Sequence, residues 1–455
     1  MPRPLRVAVV GSGPSGMYAT DALVSQDAFP VEVDVIDRLP VPFGLVRYGV
    51  APDHLSIRSV RDTLDKVLDK PGVRFVGNVA IGDQVTASDL HSYFDAVIWT
   101  YGASRDRRLG IGGEDLTGSI AATDFVAWYC GHPDADRELF ETLLPTATGV
   151  VVVGVGNVSV DVTRVLAKTV AELEHTDMPQ HVLDTLSKSQ VTDIHVLGRR
   201  GPAQATFTTK ELRELGELAD ADIIVKAEDF DLDEASAAAA AADKAVARNV
   251  EVMRGWIGRE SAGHSRRIHL HFFARPHEIR GADHVETVVV ERTRLTSEGG
   301  AQGTGEFFDI EANVIVRSVG YRGTALGEVP FDIDRNVIPH ADGRVQRDGE
   351  TVAGEYVAGW IKRGPTGIIG TNKKDATATV ASLVADVEAG TLPEPATPTA
   401  NAFDALLAAR GIVAVSTAGW RAIDGAERAL GASRGRDRTT IHQQDDLLRA
   451  AIPPA

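Results

Sequence analysis

The stretch LRVAVVGSGPSG, residues 5–16, joins an apolar run to three glycines in the pattern Gly-x-Gly-x-x-Gly. The run is typical of a short buried strand, and residues 15–25 are predicted to form the helix that follows it. Glycines permit a tight turn and close approach of the backbone to a pyrophosphate, which the helix N-terminus attracts. A second predicted strand, residues 31–36, ends at an acid whose carboxylate would bind ribose hydroxyls and repel a 2′-phosphate. The pattern predicts a site for FAD or NAD formed by Gly11, Gly13, Pro14, Ser15, Gly16 and Asp37.

A second glycine-rich turn, GVGNVS at residues 154–159, follows the apolar run of residues 150–153. Its third small position is Ser159, which still permits close packing of helix on strand. The next predicted strand, residues 193–197, is followed by two adjacent arginines, and guanidinium groups bind a 2′-phosphate bidentately. We therefore expect NADPH at a site formed by Gly154, Gly156, Asn157, Val158, Arg199 and Arg200.

Length and composition restrict the class of protein. The 455 residues suit two domains or slightly more, and no apolar run approaches the roughly 20 residues that span a bilayer. The net charge of −17 argues against general nucleic-acid binding. Cys130 is the only cysteine, which excludes a disulfide, a thiolate-held iron–sulfur cluster and a Cys-x-x-Cys pair within one chain. Because the first predicted strand leaves no room for a secretory signal, we expect a cytoplasmic location.

Three longer stretches carry a family resemblance. They are PFGLVRYGVAPDH (residues 42–54), GRRGP (198–202) with FT (207–208) and ELREL (211–215), and GWIKRGPTGIIGTNKK (359–374). In this order they resemble the adrenodoxin reductase-type ferredoxin–NADP(+) reductases, including the actinobacterial NADPH–ferredoxin reductases, over residues 5 to about 385. The resemblance implies FAD in the first site, NADPH in the second, and electron exchange with a ferredoxin, a small iron–sulfur protein.

The expected fold is α/β, with two Rossmann-like three-layer nucleotide-binding domains. Residues 94–103 and 313–321 each form an apolar strand that ends in a glycine turn, and we interpret them as the two crossings between domains. Residues 1–104 and 321–388 are expected to form a discontinuous FAD-binding domain into which the NADPH-binding domain, residues 105–320, is inserted. Residues 389–455 are predicted to be a linker and a helical C-terminal extension, with helices at 402–411 and 420–431 and no assigned catalytic role.

The resemblance also implies roles for individual residues. Trp360 is expected near the isoalloxazine, with the backbone of residues 367–369 along the flavin and the nicotinamide. His54 and Glu214 are the catalytic candidates, placed to orient NADPH, tune the flavin potential or relay a proton; a structural histidine and a solvated helix charge are the alternatives. The other implied FAD contacts are Gly44, Leu45, Arg47, Ile81, Gly367, Ile368 and Ile369. The other implied NADP contacts are Arg107, Glu211 and Gly367.

Two side-chain clusters in residues 105–320 invite other interpretations. His269 and His271 share one face of a predicted strand, with His264 nearby, but strand alternation accounts for the pattern and we predict no metal site. A regional excess of arginine is a candidate landing site for an acidic ferredoxin, because opposite potentials speed encounter and orient the partner. These residues are Arg248, Arg254, Arg259, Arg266 and Arg267.

The leading hypothesis is an FAD enzyme that takes hydride from NADPH and passes single electrons to a ferredoxin. The alternatives are a non-catalytic redox sensor that binds both nucleotides, and a flavin monooxygenase of a small organic substrate. An electron-input module similar to the small subunit of glutamate synthase would bring cluster-binding cysteines, and a disulfide reductase would need a cysteine pair. The single Cys130 argues against both.

Overall fold

The computed structural model describes residues 3–452. The chain divides into two compact units: residues up to 105 together with those from 321 onward form the first unit, and residues 106–320 form the second unit. The assignment of one nucleotide to each unit stays a prediction. No helix among the described residues is long and apolar enough to cross a membrane.

Within residues 3–452 the strands are β1 (Leu5–Val10), β2 (Val31–Ile36), β3 (Val73–Gly77), β4 (Ala96–Trp99), β5 (Arg105–Asp106), β6 (Ser119–Ala121), β7 (Gly149–Val153), β8 (Asp193–Leu197), β9 (Ala221–Val225), β10 (Arg266–His271), β11 (Ala274–Arg280), β12 (Thr287–Leu295), β13 (Ala301–Glu311), β14 (Val314–Arg317), β15 (Tyr321–Arg322), β16 (His340–Ala341), β17 (Arg344–Arg347), β18 (Glu350–Val357) and β19 (Val415–Ser416). The α-helices are α1 (Pro14–Val24), α2 (Leu45–Tyr48), α3 (Leu55–Arg58), α4 (Val60–Asp65), α5 (Ala87–Tyr93), α6 (Ala122–Tyr129), α7 (Arg137–Leu143), α8 (Asn157–Ala167), α9 (Val170–Leu173), α10 (Gln180–Leu186), α11 (Thr209–Leu215), α12 (Glu234–Ala242), α13 (Lys244–Arg254), α14 (Trp360–Arg363), α15 (Ile369–Glu388), α16 (Ala400–Ala409), α17 (Thr417–Ala432) and α18 (Gln444–Ala451). Short 3₁₀ turns occupy Lys66–Asp69, Pro202–Gln204 and Ala227–Phe230.

The first unit is built on one sheet with the strand order β16-β17-β18-β4-β1-β2-β3-β19. Its central strands β18, β4, β1, β2 and β3 are parallel, and β1 lies between β2 and β4, with Val7 opposite both Val33 and Ala96. The apolar run of β1 is buried on both faces from Val7 to Val10, as strands covered by helices require. Ligands of such sheets bind beyond the carboxyl ends of the strands, where the strand order reverses, which here is the end of β1.

The second unit contains an all-parallel sheet with the order β6-β14-β7-β8-β10-β9. Strand β7 occupies the same central position as β1 does in the first unit. A separate antiparallel sheet, β11-β12-β13, packs its apolar side chains, among them Val288 and Val290, with Val151 and Val153 of β7. The predicted strands 5–10, 31–36 and 193–197 are confirmed with the same bounds, and the α/β class with two Rossmann-like halves is confirmed.

The C-terminal extension is packed into the first unit. Helices α16 and α17 confirm the two predicted helices within a few residues, and α18 was not predicted. Strand β19 pairs antiparallel with β3 and so becomes the edge of the sheet. Phe403 of α16 is fully buried with its ring edge against Phe94.

Candidate nucleotide-binding sites

The first glycine turn joins β1 to α1 and leaves one side open. Gly11 has a φ of +107°, and a Cβ there would lie 2.8 Å from the Thr100 backbone; a Cβ at Gly16 would lie 1.9 Å from the Gly11 carbonyl oxygen. Both glycines are therefore required by packing. A Cβ at Gly13 would meet no atom of the described residues within 4 Å. Because Gly13 is the N-cap of α1, with Pro14 in the first turn, this open side faces the helix end that attracts phosphate.

Asp37 follows β2, and its carboxylate holds the turn in shape. Its Oδ2 accepts hydrogen bonds from the backbone N–H of Ser12 (2.9 Å) and the Ser12 hydroxyl (2.5 Å), and its Oδ1 accepts one from Leu39 N–H (3.0 Å). A carboxylate has about four acceptor positions. One remains for a ribose hydroxyl, while the negative charge disfavours a 2′-phosphate.

The segment of residues 42–49 lies against the open glycine. The Phe43 N–H donates to the Ser12 carbonyl at 3.0 Å, and a Cβ at Gly44 would lie 3.1 Å from Gly13 Cα. Phe43 and Gly44 both have a positive φ, 84° and 47°, so tertiary contacts must hold this backbone in place. Leu45 remains 38% exposed beside this turn, whereas Ile81 is buried in the core.

Arg47 is held from the C-terminal extension, which the sequence did not indicate. Its guanidinium donates two hydrogen bonds to Glu427 of α17, one of them at 3.0 Å. Arg438 Nη1 donates to the same carboxylate at 2.6 Å, and so does the Ile441 N–H at 2.9 Å. Burial alone would lower the pKa of Arg47, but the Glu427 charge outweighs it and holds that pKa above its ordinary value. The Arg47 side chain is therefore bound within the protein and supports the segment of residues 42–49.

The segment of residues 359–375 approaches the N-terminus of α1. Gly359 has a φ of +83°, and a Cβ there would lie 2.1 Å from Ser15 Oγ, so only glycine fits. Its N–H donates to Asp375 Oδ2 at 2.6 Å, and the Ser15 hydroxyl donates to Asn372 Oδ1 at 3.1 Å. These bonds from α15 fix the backbone on which Trp360 stands.

Trp360 carries a donor without a partner among the described residues, and Ile368 is exposed. The Trp360 ring lies 5.5 Å from that of Tyr321, and its indole Nε1 is buried without an acceptor among the described residues. Ile368, just before α15, is 72% exposed, which is unusual for so large an apolar side chain. An orphaned donor and an exposed apolar side chain fit the polar edge and apolar face of a flavin ring. Gly367 has a φ of +83° beside Thr371, and Ile369 is half-buried.

The second glycine turn joins β7 to α8. Gly154 has a φ of +126°, and a Cβ there would lie 2.3 Å from the Ser318 carbonyl oxygen. Gly156 is the N-cap of α8, and Val158 lies in the first turn of that helix. The Asn157 side-chain oxygen accepts a hydrogen bond from Thr208 N–H at 2.8 Å, which ties the turn to the start of α11.

Arg199 and Arg200 follow β8, and both have free guanidinium groups. Their carbonyl oxygens are used, by Thr293 Oγ1 at 2.8 Å and Phe273 N–H at 3.1 Å. Within residues 3–452 neither side chain has a hydrogen-bond or ion-pair partner. The backbones of these two adjacent arginines are fixed by hydrogen bonds, and their guanidinium groups are unpaired within residues 3–452. Such a pair suits a phosphate dianion.

Glu211 and Glu214 of α11 have different surroundings. Glu211 is buried and accepts a hydrogen bond from the Thr208 hydroxyl at 2.9 Å. Glu214 is partly exposed, 3.5 Å from Arg164 Nε, and Arg164 Nη1 donates to Asp161 Oδ1 at 2.8 Å. Burial, and then the charges of Glu211 and Glu214, raise the pKa of Asp161 well above its ordinary value. Glu214 therefore belongs to a buried charge network, and this contact does not support the alternative of a freely solvated helix charge.

His54 is buried and Arg107 is exposed. His54 is 7% exposed, and its carbonyl accepts the N–H groups of Ile57 and Arg58 at the start of α3. Arg107 is exposed, and its N–H donates to the Gly320 carbonyl at 3.0 Å. Its guanidinium has no partner in the described part of the chain.

The clustered arginines separate into two groups. Arg248, Arg254 and Arg259 are exposed on and after α13. Burial lowers the pKa of Arg266, and Arg267 is paired with Asp193 through two hydrogen bonds of 2.7 and 2.5 Å. The first group is exposed, whereas Arg266 is partly buried and Arg267 is ion-paired.

Two α/β units, each with a glycine turn at the end of its central strand and one with free arginines, define the class of two-nucleotide oxidoreductases. No family model matches the chain. It is 41% identical to the NADPH-ferredoxin reductase FprA of Mycobacterium tuberculosis over 99% of this chain and 100% of that protein, and 36% identical to the mitochondrial NADPH:adrenodoxin oxidoreductase of Arabidopsis thaliana over 99% and 96%. The solved structure of M. tuberculosis FprA in complex with NADPH matches with a TM-score of 0.92, 41% identity and coverage of 99% and 100%. The chain belongs to the family of NADPH-ferredoxin reductases.

Proposed function

We propose that this protein is an FAD-dependent reductase that takes hydride from NADPH and passes electrons singly to a ferredoxin-type iron–sulfur protein. The observation that carries the proposal is the contrast between the two strand ends. Asp37 follows β2 and excludes a 2′-phosphate, whereas the free Arg199 and Arg200 follow β8 and attract one. The names of the relatives, NADPH-ferredoxin reductase and NADPH:adrenodoxin oxidoreductase, support the donor and the acceptor.

The first unit would hold FAD. The amides at the start of α1 bind the pyrophosphate beside Gly13, and Asp37 binds the adenosine ribose. Trp360 offers its indole N–H, and Ile368 covers apolar surface. Bound FAD supplies the exchange between a two-electron donor and a one-electron acceptor.

The second unit would hold NADPH through the start of α8, with Arg199 and Arg200 on the 2′-phosphate. Arg107, exposed and unpaired among the described residues, is a further phosphate ligand in this proposal. Glu211 is buried and bonded to Thr208, so it acts on the ligand by shaping the adenosine end of the site.

His54 and Glu214 are the proposed catalytic residues, which orient the nicotinamide or move a proton. His54→Ala is expected to slow hydride transfer in stopped-flow measurements while FAD stays bound. Glu214→Gln tests the second position in the same way. Unchanged transfer rates in both variants would remove these roles.

The partner would dock on Arg248, Arg254 and Arg259, since an acidic protein needs a positive surface even on a reductase with a net charge of −17. Charge reversal at these positions should raise the KM for ferredoxin and flatten its salt dependence. A change in the KM for NADPH alone would contradict the docking surface. The cytoplasmic location stays a prediction.

The decisive experiment is an anaerobic titration of the purified protein with NADPH, and separately with NADH, while the flavin absorption is followed. Rapid bleaching by NADPH and slower bleaching by NADH are expected. A yellow protein that NADPH fails to reduce would favour the redox sensor, and a protein that cannot be loaded with FAD would overturn the assignment of the first site. NADPH consumption coupled to an organic product without ferredoxin would favour the monooxygenase.

A further inference from the structure

Three side chains able to bind metal share one face of the sheet of the second unit. His269 of β10 lies directly opposite His195 of β8 in the parallel register. Asp193 precedes His195 by two residues on the same strand, so both side chains point to the same face. His264, which is near His269 and His271 in sequence, is 3.1 Å from Asp222 and does not belong to this group.

The three groups converge closely. His269 Nε2 lies 2.9 Å from Asp193 Oδ1, and the rings of His195 and His269 are 4.4 Å apart. One ligand atom from each residue lies within 4.8 Å of the other two. Zinc bonds of 2.0–2.2 Å would place neighbouring ligand atoms about 3.4 Å apart in a tetrahedron. Metal binding therefore requires the His195 and His269 rings, which are stacked at 12° to each other, to turn toward a common centre. We propose that Asp193, His195 and His269 bind a divalent transition-metal ion of the zinc type.

The ligand set selects the class of ion. Two imidazoles and one carboxylate suit Zn²⁺ and its transition-metal neighbours, whereas Ca²⁺ and Mg²⁺ prefer oxygen ligands only. Three protein ligands leave a fourth position for water. All three side chains are partly exposed, so an ion can reach them from solvent.

His271 orients one of the ligands. His195 Nδ1 lies 3.0 Å from His271 Nε2, and when Nδ1 donates in this bond, Nε2 of His195 keeps its lone pair for the metal. Metal-binding histidines commonly donate their second N–H in this way, which fixes ring and tautomer. His271 is therefore a positioning residue for the site.

Arg267 competes with the metal for Asp193. It donates hydrogen bonds of 2.7 and 2.5 Å to the two carboxylate oxygens, and its side chain is 48% exposed. An exposed guanidinium can swing away, but its displacement weakens metal binding. Because of this competition, removing the Arg267 charge should strengthen metal binding, whereas substitution of a ligand residue should weaken it.

The test is calorimetric titration of the full-length, tag-free, FAD-loaded protein with Zn²⁺ in a non-chelating buffer. One site is expected, with an affinity reduced at least tenfold in His195→Asn and in His269→Asn, and increased severalfold in Arg267→Gln. His284→Asn, an exposed histidine of the same unit, is the matched control and should leave the affinity unchanged.

Thermal unfolding in EDTA checks that the variants fold equally well, and Zn²⁺ should raise the midpoint of the wild type but not that of His269→Asn. If an asparagine variant fails to fold, the Zn²⁺ affinity of Arg267→Gln still tests the proposal, because it should exceed that of the wild type. No binding by the wild type, or equal affinity in the wild type and both asparagine variants, would overturn the proposal.

Discussion

Arg47 and Glu427 form an ion pair in which the two side chains are 1% and 0% exposed, although 380 residues separate them along the chain. The pair joins the segment that lies against the first glycine turn to the C-terminal extension. Trp420 of the same helix adds an edge-to-face contact with Phe43, at 5.6 Å between ring centroids. The C-terminal extension therefore supports the segment that shapes the proposed flavin site. No recognisable motif in the extension indicates this role.

Glu427→Gln is expected to destabilise the first unit and to weaken FAD binding. Removing one charge from a buried pair costs about 3–5 kcal/mol, because the other charge remains buried. The FAD dissociation constant should rise at least tenfold, since residues 42–49 lose their support. Urea unfolding of the FAD-free protein and fluorescence titration with FAD measure the two effects.

The control for this variant is Phe403→Ala, which opens a cavity against Phe94 elsewhere in the extension. Phe403→Ala should lower the free energy of unfolding by a similar amount, about 3–5 kcal/mol. Its FAD affinity should be unchanged. Equal FAD affinities in the two variants would mean that Glu427 only stabilises the fold.

Gly13→Ala and Gly16→Ala are expected to fail in different ways. The methyl group at Gly13 enters open space, so the protein should fold normally but lose FAD affinity at least tenfold because the methyl blocks the pyrophosphate. At Gly16 the methyl collides with the Gly11 carbonyl oxygen, so stability itself should fall. Thermal midpoints without FAD, compared with FAD titrations, separate the two; a Gly13→Ala protein with normal FAD affinity would place the pyrophosphate elsewhere.

Arg199→Ala/Arg200→Ala should reduce kcat/KM for NADPH about 10- to 100-fold, the loss expected for charge-assisted hydrogen bonds to one phosphate. The value for NADH should change little, because NADH lacks the 2′-phosphate. Steady-state kinetics with both donors measure the effect, and Arg294→Ala, an exposed arginine of the same unit, serves as control. A parallel loss with both donors would show that the arginines do not read the 2′-phosphate.

Asp106 predicts a pH-dependent stability of the second unit. Burial raises its pKa to about 6 from the ordinary 3.8, although Thr123 donates two hydrogen bonds to it. The folded protein therefore holds this proton more tightly than the unfolded chain, so this contribution to stability is complete below pH 4 and is lost as the pH rises to 6. Asp106→Asn should be more stable than the wild type by at most about 3 kcal/mol at pH 7 and by almost nothing at pH 4. Urea midpoints across this range measure the difference; one that is independent of pH would contradict the assignment.

The features that the sequence predicted correctly are local. β1 could be predicted because it is a largely apolar run before a glycine turn, and β2 and β8 because apolar residues recur in a short segment before a turn. The two glycine fingerprints need only a few neighbouring residues. The partner of Arg47 could not be predicted from the sequence, because Glu427 lies in a helix without a recognisable motif and contacts Arg47 only in the folded chain. The shared face of His269 and His271 followed from strand alternation, but the register that brings His195 opposite His269 depends on how the long connection of residues 198–265 returns the chain to the sheet.

The first unit needs both β1, which starts at residue 5, and β19, which ends at residue 416, to complete one sheet. In the sequence, residues 106–320 of the second unit come after β1 and before β19. During synthesis, which proceeds from the N-terminus, the second unit can therefore fold while ribosome-bound. The sheet of the first unit cannot be completed until β19 has been synthesised and can pair with β3. The unit whose synthesis begins first is therefore the last to complete its fold.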